Sequence, residues 1–112
     1  MWVFLADSFL SIVATPEDPD LVKVRARFRG DIERVFPEAK VEAWTGTDYA
    51  YRTTLPRSRV AEAMVQAVKD TRATNFKAWV RERWRHDAYM RVWSVMAEEQ
   101  DRREGRPPRR RT

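Results

Sequence analysis

The densest run of side chains that could do chemistry lies between residues 81 and 89, where arginines surround a histidine and an aspartate. His86, the only histidine of the chain, stands beside Asp87. A histidine can act as a general base, and arginines can stabilise the pentavalent anion of phosphodiester hydrolysis. Adjacent residues of a helix do not face each other, however, and Asp87 is equally well explained as a helix cap. We therefore expect no catalytic residue and no enzyme, and keep a small nuclease that uses His86 as the lesser alternative.

The same segment also has the composition of a protein-binding surface. It holds one tryptophan among three arginines: Arg81, Arg83, Trp84 and Arg85. Tryptophan and arginine are enriched at the positions that dominate binding in protein interfaces. We expect a break in the helical pattern near residues 81–86 to turn Trp84 and the arginines outward, toward a protein or nucleoprotein partner. The alternative is that arginine and tryptophan stack on each other within the fold.

A second basic surface is predicted on a strand, because residues 21–28 alternate between apolar and polar side chains. The polar face carries four cations: Lys23, Arg25, Arg27 and Arg29. These cations could follow a phosphate backbone, and Tyr49 and Tyr51, on one face of a neighbouring strand, could stack on bases. The pattern alone favours the other interpretation, a solvated sheet face whose arginines cover apolar surface and pair with acids such as Glu42.

The excess positive charge of the chain is concentrated at its C-terminal end. Residues 102–112 contain six arginines and one glutamate, whereas the preceding 101 residues contain 16 basic and 16 acidic groups. The net charge of +5 therefore belongs to this tail, which has no large apolar residue and is expected to be disordered. Arg109, Arg110 and Arg111 are further candidates for nucleic-acid contacts, with an affinity that falls as salt is added.

Composition excludes several kinds of site. The 112 residues include no cysteine and one histidine, which excludes disulfides, thiolate metal sites and multi-histidine metal sites. We expect neither a metal nor another cofactor, although carboxylates alone could still bind a cation. The apolar first 14 residues lack a basic start and are too short to span a bilayer, so we expect a cytoplasmic protein that does not engage a membrane.

The elements that position these groups follow from periodicity and turn signals. Strands are predicted over residues 2–6, 9–14, 21–28, 40–45 and 49–55. Helices are predicted over residues 31–36, 56–69, 75–81 and 88–100. We expect Asp31 and Asp87 to cap the first and last helices, and Trp79 and Trp93 to pack inward. This order predicts a single α+β domain over residues 1–101, with an antiparallel sheet (a ferredoxin-like plait or a variant of it) and the C-terminal helices packed on one face.

Several short segments spread over about residues 1–97 resemble a family of short uncharacterised bacterial proteins. The segments are Met1–Leu5, Phe9–Val13, Val24–Arg27, Gly30–Pro37, Asp48–Arg52, Asn75–Lys77, Arg85–Met90 and Val92–Ser94. The resemblance implies an association with mobile elements, and hence a phage or anti-defence role. It implies no activity and no site residue.

The leading hypothesis from the sequence is a non-enzymatic binding protein that engages a protein or nucleoprotein partner. One form of it is an inhibitor of a bacterial defence complex such as a CRISPR effector. The alternative from another class is a module that binds RNA or DNA directly. Binding of nucleic acid by the chain without its basic tail separates the two.

Overall fold

The computed structural model describes residues 1–44 and 46–107, which belong to two compact units. The first unit, Met1–Ala73, contains the strands β1 (Trp2–Phe4), β2 (Phe9–Ala14), β3 (Leu21–Ala26), β4 (Glu42–Ala43) and β5 (Tyr51–Pro56) and the helices α1 (Asp31–Val35) and α2 (Arg57–Lys69). The second unit begins at Thr74 and contains α3 (Phe76–Trp79) and α4 (Arg83–Arg103).

The strands form one sheet in the order β1-β2-β3-β5-β4, with every neighbouring pair antiparallel. β1 and β2 form a hairpin around Asp7 and Ser8. β5 pairs with β3, although α1 and β4 lie between these two strands in the sequence. Both α1 and α2 contact the sheet. The predicted α+β class with an antiparallel sheet is therefore confirmed. A ferredoxin-like plait has the element order βαββαβ, and this unit, with the order βββαββα, does not follow it.

The core of the first unit lies between the sheet and its two helices. The alternation in β3 buries Val22, Val24 and Ala26 and turns the intervening cations away from the core. Ile32 of α1 and Phe36, which follows it, are completely buried against this face. The strand pattern thus sets which face the helices cover, and it leaves the opposite face to the polar side chains.

α1 begins at a glycine rather than at the predicted cap. Gly30 has a φ of 90°, a conformation that side chains with a Cβ rarely adopt, and it occupies the cap position. Asp31 is the first residue of the helix and is completely buried, so its assignment as the N-cap is wrong. Its carboxylate accepts a hydrogen bond from the backbone N–H of Phe9 at 2.9 Å and another from Arg34. Asp31 therefore ties α1 to the start of β2.

In the second unit, the helical pattern breaks slightly earlier than predicted. α3 is a single turn, and the side chain of its cap residue Asn75 accepts a hydrogen bond from a backbone N–H of that turn at 3.1 Å. Val80 then takes an extended conformation before α4 starts. Asp87 lies inside α4, so its assignment as a cap is wrong. The first turn of α4 lies before Asp87, since the backbone N–H of His86 donates to the carbonyl of Glu82 at 2.9 Å.

α4 runs past its predicted end and stops at a glycine turn. Gly105 has a φ of 70°, and the N–H of Arg106 donates to the carbonyl of Asp101 at 2.8 Å. This bond is the one that closes a Schellman motif. Arg102 and Arg103, which we assigned to a disordered tail, are therefore helical.

Candidate functional site

The face of the sheet opposite α1 and α2 collects the strand cations. Directly opposed residues of antiparallel strands share a face, and one such row crosses all five strands: Trp2, Ser11, Arg25, Arg52 and Glu42. Lys23 lies two residues before Arg25, and Trp44 lies two residues after Glu42, which places both on the same face. We call the surface formed by Trp2, Ser11, Lys23, Arg25, Arg52 and Trp44 the arginine face.

Two guanidinium groups belong to the centre of the arginine face. Arg25 and Arg52 are directly opposed on β3 and β5, an arrangement of like charges that is destabilising. The Nε atoms of both are buried, and neither has a hydrogen-bond partner among the described residues. Native proteins seldom retain buried donors without an acceptor, because each costs free energy. An anion bound between the two groups would supply both the acceptor oxygens and the opposite charge.

The side chains around these arginines hold them in position. Arg25 donates a hydrogen bond to the Ser11 hydroxyl at 2.8 Å, and its guanidinium carbon lies 4.5 Å from the ring centroid of Tyr49. Arg27 stacks on the same ring at 4.1 Å. Tyr49 is only 4% exposed, so its predicted role as a surface on which bases stack is wrong. The tyrosine instead orients two arginines.

Arg52 contacts residues near β4, which is the edge strand on its side of the sheet. It donates to the carbonyl of Tyr49 at 3.4 Å, and its guanidinium carbon lies 5.6 Å from the ring centroid of Trp44. The indole N–H of Trp44 donates to Glu42 at 3.2 Å. Glu42, which we expected to pair with the arginines of β3, therefore bonds to an aromatic residue that is 52% exposed.

Arg27 differs from Arg25 because an acid neutralises it. Its guanidinium donates to the Asp48 carboxylate at 3.0 Å and to the Asp48 carbonyl at 2.9 Å. This hydrogen bond holds the pKa of Asp48 below its ordinary value and raises the pKa of Arg27. Arg27 therefore fits the interpretation in which the arginines of β3 are solvated and paired with acids, and its acid is Asp48.

Tyr51 and Arg29 do not belong to the arginine face. Tyr51 is opposed to Ala26, whose side chain points to the core, and it packs against the core cluster. The Arg29 guanidinium carbon lies 5.4 Å from the Tyr51 ring, beyond the end of β3. The prediction that Tyr49 and Tyr51 share a face is wrong, because β5 begins only at Tyr51 and regular alternation does not reach Tyr49.

The residues of the predicted partner-binding segment differ in their exposure. Arg81 and Arg83 are exposed, and Trp84 is 46% exposed. Arg85 is completely buried, so its assignment to the surface is wrong. Its Nε donates to Glu82 at 2.8 Å, its guanidinium carbon lies 4.6 Å from the Trp84 ring, and Nη1 lies 3.4 Å from the hydroxyl of the buried Tyr89. Residues three and four apart on a helix are neighbours, which is why this arginine turns inward onto its own helix.

The histidine pair has little of the geometry of a catalytic site. His86 Nδ1 and Asp87 Oδ1 are 3.4 Å apart, between adjacent side chains that are 40% and 60% exposed. Among the residues that the structure describes, no group of three or more histidine, cysteine, aspartate or glutamate side chains could hold a metal ion. The nuclease alternative gains no support from this arrangement.

The second unit exposes an apolar surface on α4. Four large side chains of α4 are 43–65% exposed: Val92, Trp93, Val95 and Met96. We expected Trp93 to fill the core, but it is 45% exposed and carries the Lys77 ammonium 4.8 Å from its ring centroid. Val92, Val95 and Met96 lie three and four residues apart on one face, and we call them the α4 stripe. A shallow groove of about 470 Å³ beside them is lined by Trp93, Met96, Ala97, Glu99, Gln100 and Arg103.

Two features of these surfaces were missed from the sequence. Arg52 alternates with Thr53 and Leu55, which indicates its face, but no local signal reveals that Arg25 is its neighbour. The exposure of the α4 stripe was also missed, because in a helix that is apolar on several sides the sequence does not indicate which side is covered. Of the two tryptophans predicted to point inward, Trp93 is exposed and Trp79 is half-buried.

Arg109, Arg110 and Arg111 lie outside the described residues, so their predicted role stays a prediction. No helix in the described ranges is both long enough and apolar enough to cross a membrane. Comparisons with known proteins find no match to a protein-family model, to a curated protein or to a solved structure.

Proposed function

We propose that this protein is a non-enzymatic binding protein that holds single-stranded nucleic acid, alone or within a nucleoprotein, on the arginine face. The observation that carries the proposal is the pair Arg25 and Arg52, directly opposed and each with a buried Nε that has no acceptor among the described residues. Adjacent strands are about 4.8 Å apart, so one phosphate can accept from both guanidinium groups.

The arrangement of the arginines favours a preformed site. Tyr49 and Ser11 hold Arg25, while Trp44 and the Tyr49 carbonyl hold Arg52. A side chain that is ordered before binding loses less conformational entropy when it binds. The aromatic rings stack on the faces of the guanidinium groups. The N–H donors lie in the guanidinium plane and therefore point away from the rings.

Aromatic residues lie at both edges of the same face. Trp2 of the edge strand β1 is 67% exposed, and Trp44, beside the edge strand β4, is 52% exposed. Proteins that bind single strands combine a basic path for the backbone with aromatic side chains on which bases stack. Four strand spacings separate the two edges, about 19 Å, which is enough for a few nucleotides.

The charge balance supports local contacts, rather than long-range attraction, as the role of the first unit. Residues 1–73 contain 11 basic and 11 acidic groups, which leaves a net charge of zero, whereas the residues from Thr74 onward contain 11 and 6, which leaves +5. A strand is therefore attracted first by the charge of the second unit and the tail, and held by contacts on the arginine face.

The proposal extends to the partner and location expected from the sequence. A nucleoprotein such as a CRISPR effector displays nucleic acid that the arginine face could contact, so inhibition of a defence complex is one form of the proposed function. A cytoplasmic location would give access to such a complex.

Fluorescence anisotropy with a labelled single-stranded RNA and DNA of about 15 nucleotides tests the proposal on the full chain. The double variant Arg25→Gln with Arg52→Gln should bind more weakly. Its plot of log affinity against log salt should be shallower by about 0.7, because the contact with one phosphate is lost. The matched control, Arg57→Gln with Arg72→Gln, removes the same charge from exposed sites outside this face and should change the slope little.

Two further variants separate the arginine face from the tail. Trp44→Ala should weaken binding by about 5- to 150-fold, the cost of one lost base stack. Replacement of Arg109, Arg110 and Arg111 by glutamine should lower the affinity but leave the effect of Trp44→Ala intact. Equal losses in the double variant and its charge-matched control would mean that binding depends on net charge alone, and the proposal would be wrong.

A further inference from the structure

α4 carries an apolar surface that its own unit leaves exposed. Val92, Val95 and Met96 are 43%, 62% and 65% exposed and lie along one face of a helix of 21 residues. Contiguous exposed apolar side chains mark a surface that associates. The charges that flank this face indicate which molecule it fits.

The flanking charges are arranged reciprocally about a single point. Arg91 and Glu98 lie seven residues apart, and the midpoint between them falls between Ser94 and Val95. Asp87 and Arg102 have the same midpoint and the opposite order of charge. A helix that meets an antiparallel copy of itself at this midpoint therefore places each of these residues near one of opposite charge.

The charges concerned are exposed. Arg91, Glu98, Asp87 and Arg102 all lie on the accessible part of α4. Within the described residues, neither Arg91 nor Glu98 forms an ion pair. All four lie on one side of the helix wheel, next to the α4 stripe, and antiparallel helices bring equivalent sides together.

We infer that the α4 stripe binds the α4 stripe of a second copy of this chain, in an antiparallel pair with a two-fold axis near Val95. A two-fold contact requires a self-complementary surface, and the reciprocal order of Arg91 and Glu98 meets that requirement. In this register Val92 and Val95 of each copy exclude water at the centre, while the charges select the antiparallel orientation. This inference concerns the second unit and does not depend on nucleic-acid binding.

Sedimentation equilibrium of the full chain, over chain concentrations from about 5 to 500 µM, should show reversible dimers. Val95→Lys places two like charges near the axis and should weaken association by about 100-fold. The matched control is Val68→Lys on α2, at a valine that is 75% exposed, and it should associate as the parent does. Circular dichroism checks that both variants are folded.

A charge exchange tests the register itself. Arg91→Glu and Glu98→Arg should each weaken self-association, because each places like charges opposite one another at positions 91 and 98 of the two copies. An equimolar mixture of the two variants should form heterodimers as tightly as the parent forms homodimers, since both pairs then join opposite charges again, one in the original order and one reversed. A parent chain that remains monomeric at 500 µM, or a mixture that associates no better than its components, would overturn the inference; the stripe would then fit a different protein.

Discussion

The buried arginine at the start of α4 allows a direct test of how the second unit is stabilised. Arg85 is completely buried, whereas Arg83, two residues earlier on the same helix, is exposed. The substitutions Arg85→Met and Arg83→Met remove the same charge and retain a long side chain. Any difference between them therefore reports the environment of Arg85 rather than the chemistry of the change.

The expected magnitude follows from the contacts that are lost. The Nε of Arg85 donates to Glu82 at 2.8 Å, and a hydrogen bond between charged groups contributes about 1.5–3 kcal/mol. Stacking on Trp84 at 4.6 Å adds about 1–2 kcal/mol in a desolvated position. Methionine recovers part of the packing, and Glu82 is 41% exposed and can be solvated, so no buried charge is left unpaired. We expect a loss of about 3 kcal/mol for Arg85→Met and under about 0.5 kcal/mol for Arg83→Met.

Thermal unfolding followed by circular dichroism measures this difference. For a chain of this size, a loss of about 3 kcal/mol corresponds to a midpoint lower by about 10–20 °C. Trp84→Ala should fall between the two methionine variants, because Trp84 is 46% exposed but stacks on Arg85. An unchanged or higher midpoint for Arg85→Met would refute the reasoning, since the desolvation of the arginine would then cancel its contacts.

Two more predictions concern the first unit. Phe36→Ala should destabilise the fold by about 3–5 kcal/mol in urea unfolding, because it empties a completely buried position; a loss below about 1 kcal/mol would mean that the core closes around it. The Asp48 ion pair should make stability depend on pH. Its carboxyl pKa is lowered on folding by the hydrogen bond from Arg27, so its contribution is present above about pH 4 and is lost as the pH falls through the folded value. Asp48→Asn should remove that part of the acid-induced loss, and an unchanged pH profile would contradict the assignment.

Local patterns in the chain determined the elements and their faces. The alternation over Leu21–Ala26 predicted a strand that buries Val22, Val24 and Ala26, and it does. The apolar runs before and after Asp7 and Ser8 predicted two strands, which pair as the hairpin of β1 and β2. These features are local, because the period of two along a strand and the residue preferences of a turn depend on neighbours in sequence.

The membership of the candidate sites was decided by contacts between distant residues. Arg25 and Arg52 are 27 positions apart, and only the register of β3 with β5 makes them neighbours. Asp31 looked like a cap, yet the approach of β2 turns it into a buried acceptor for the N–H of Phe9. Alternation assigns a side chain to a face but carries no information about the residue beside it.

The sequence likewise could not predict which side chains of α4 are buried. Arg85 was predicted to be exposed and Trp93 to point inward, and the structure reverses both. A helix with apolar residues on several sides has no single face that periodicity can identify, so its orientation is set by what packs against it. Arg85 can be buried because Glu82, Trp84 and Tyr89 surround its guanidinium, a set of contacts that exists only once the helix has formed and its side chains have packed.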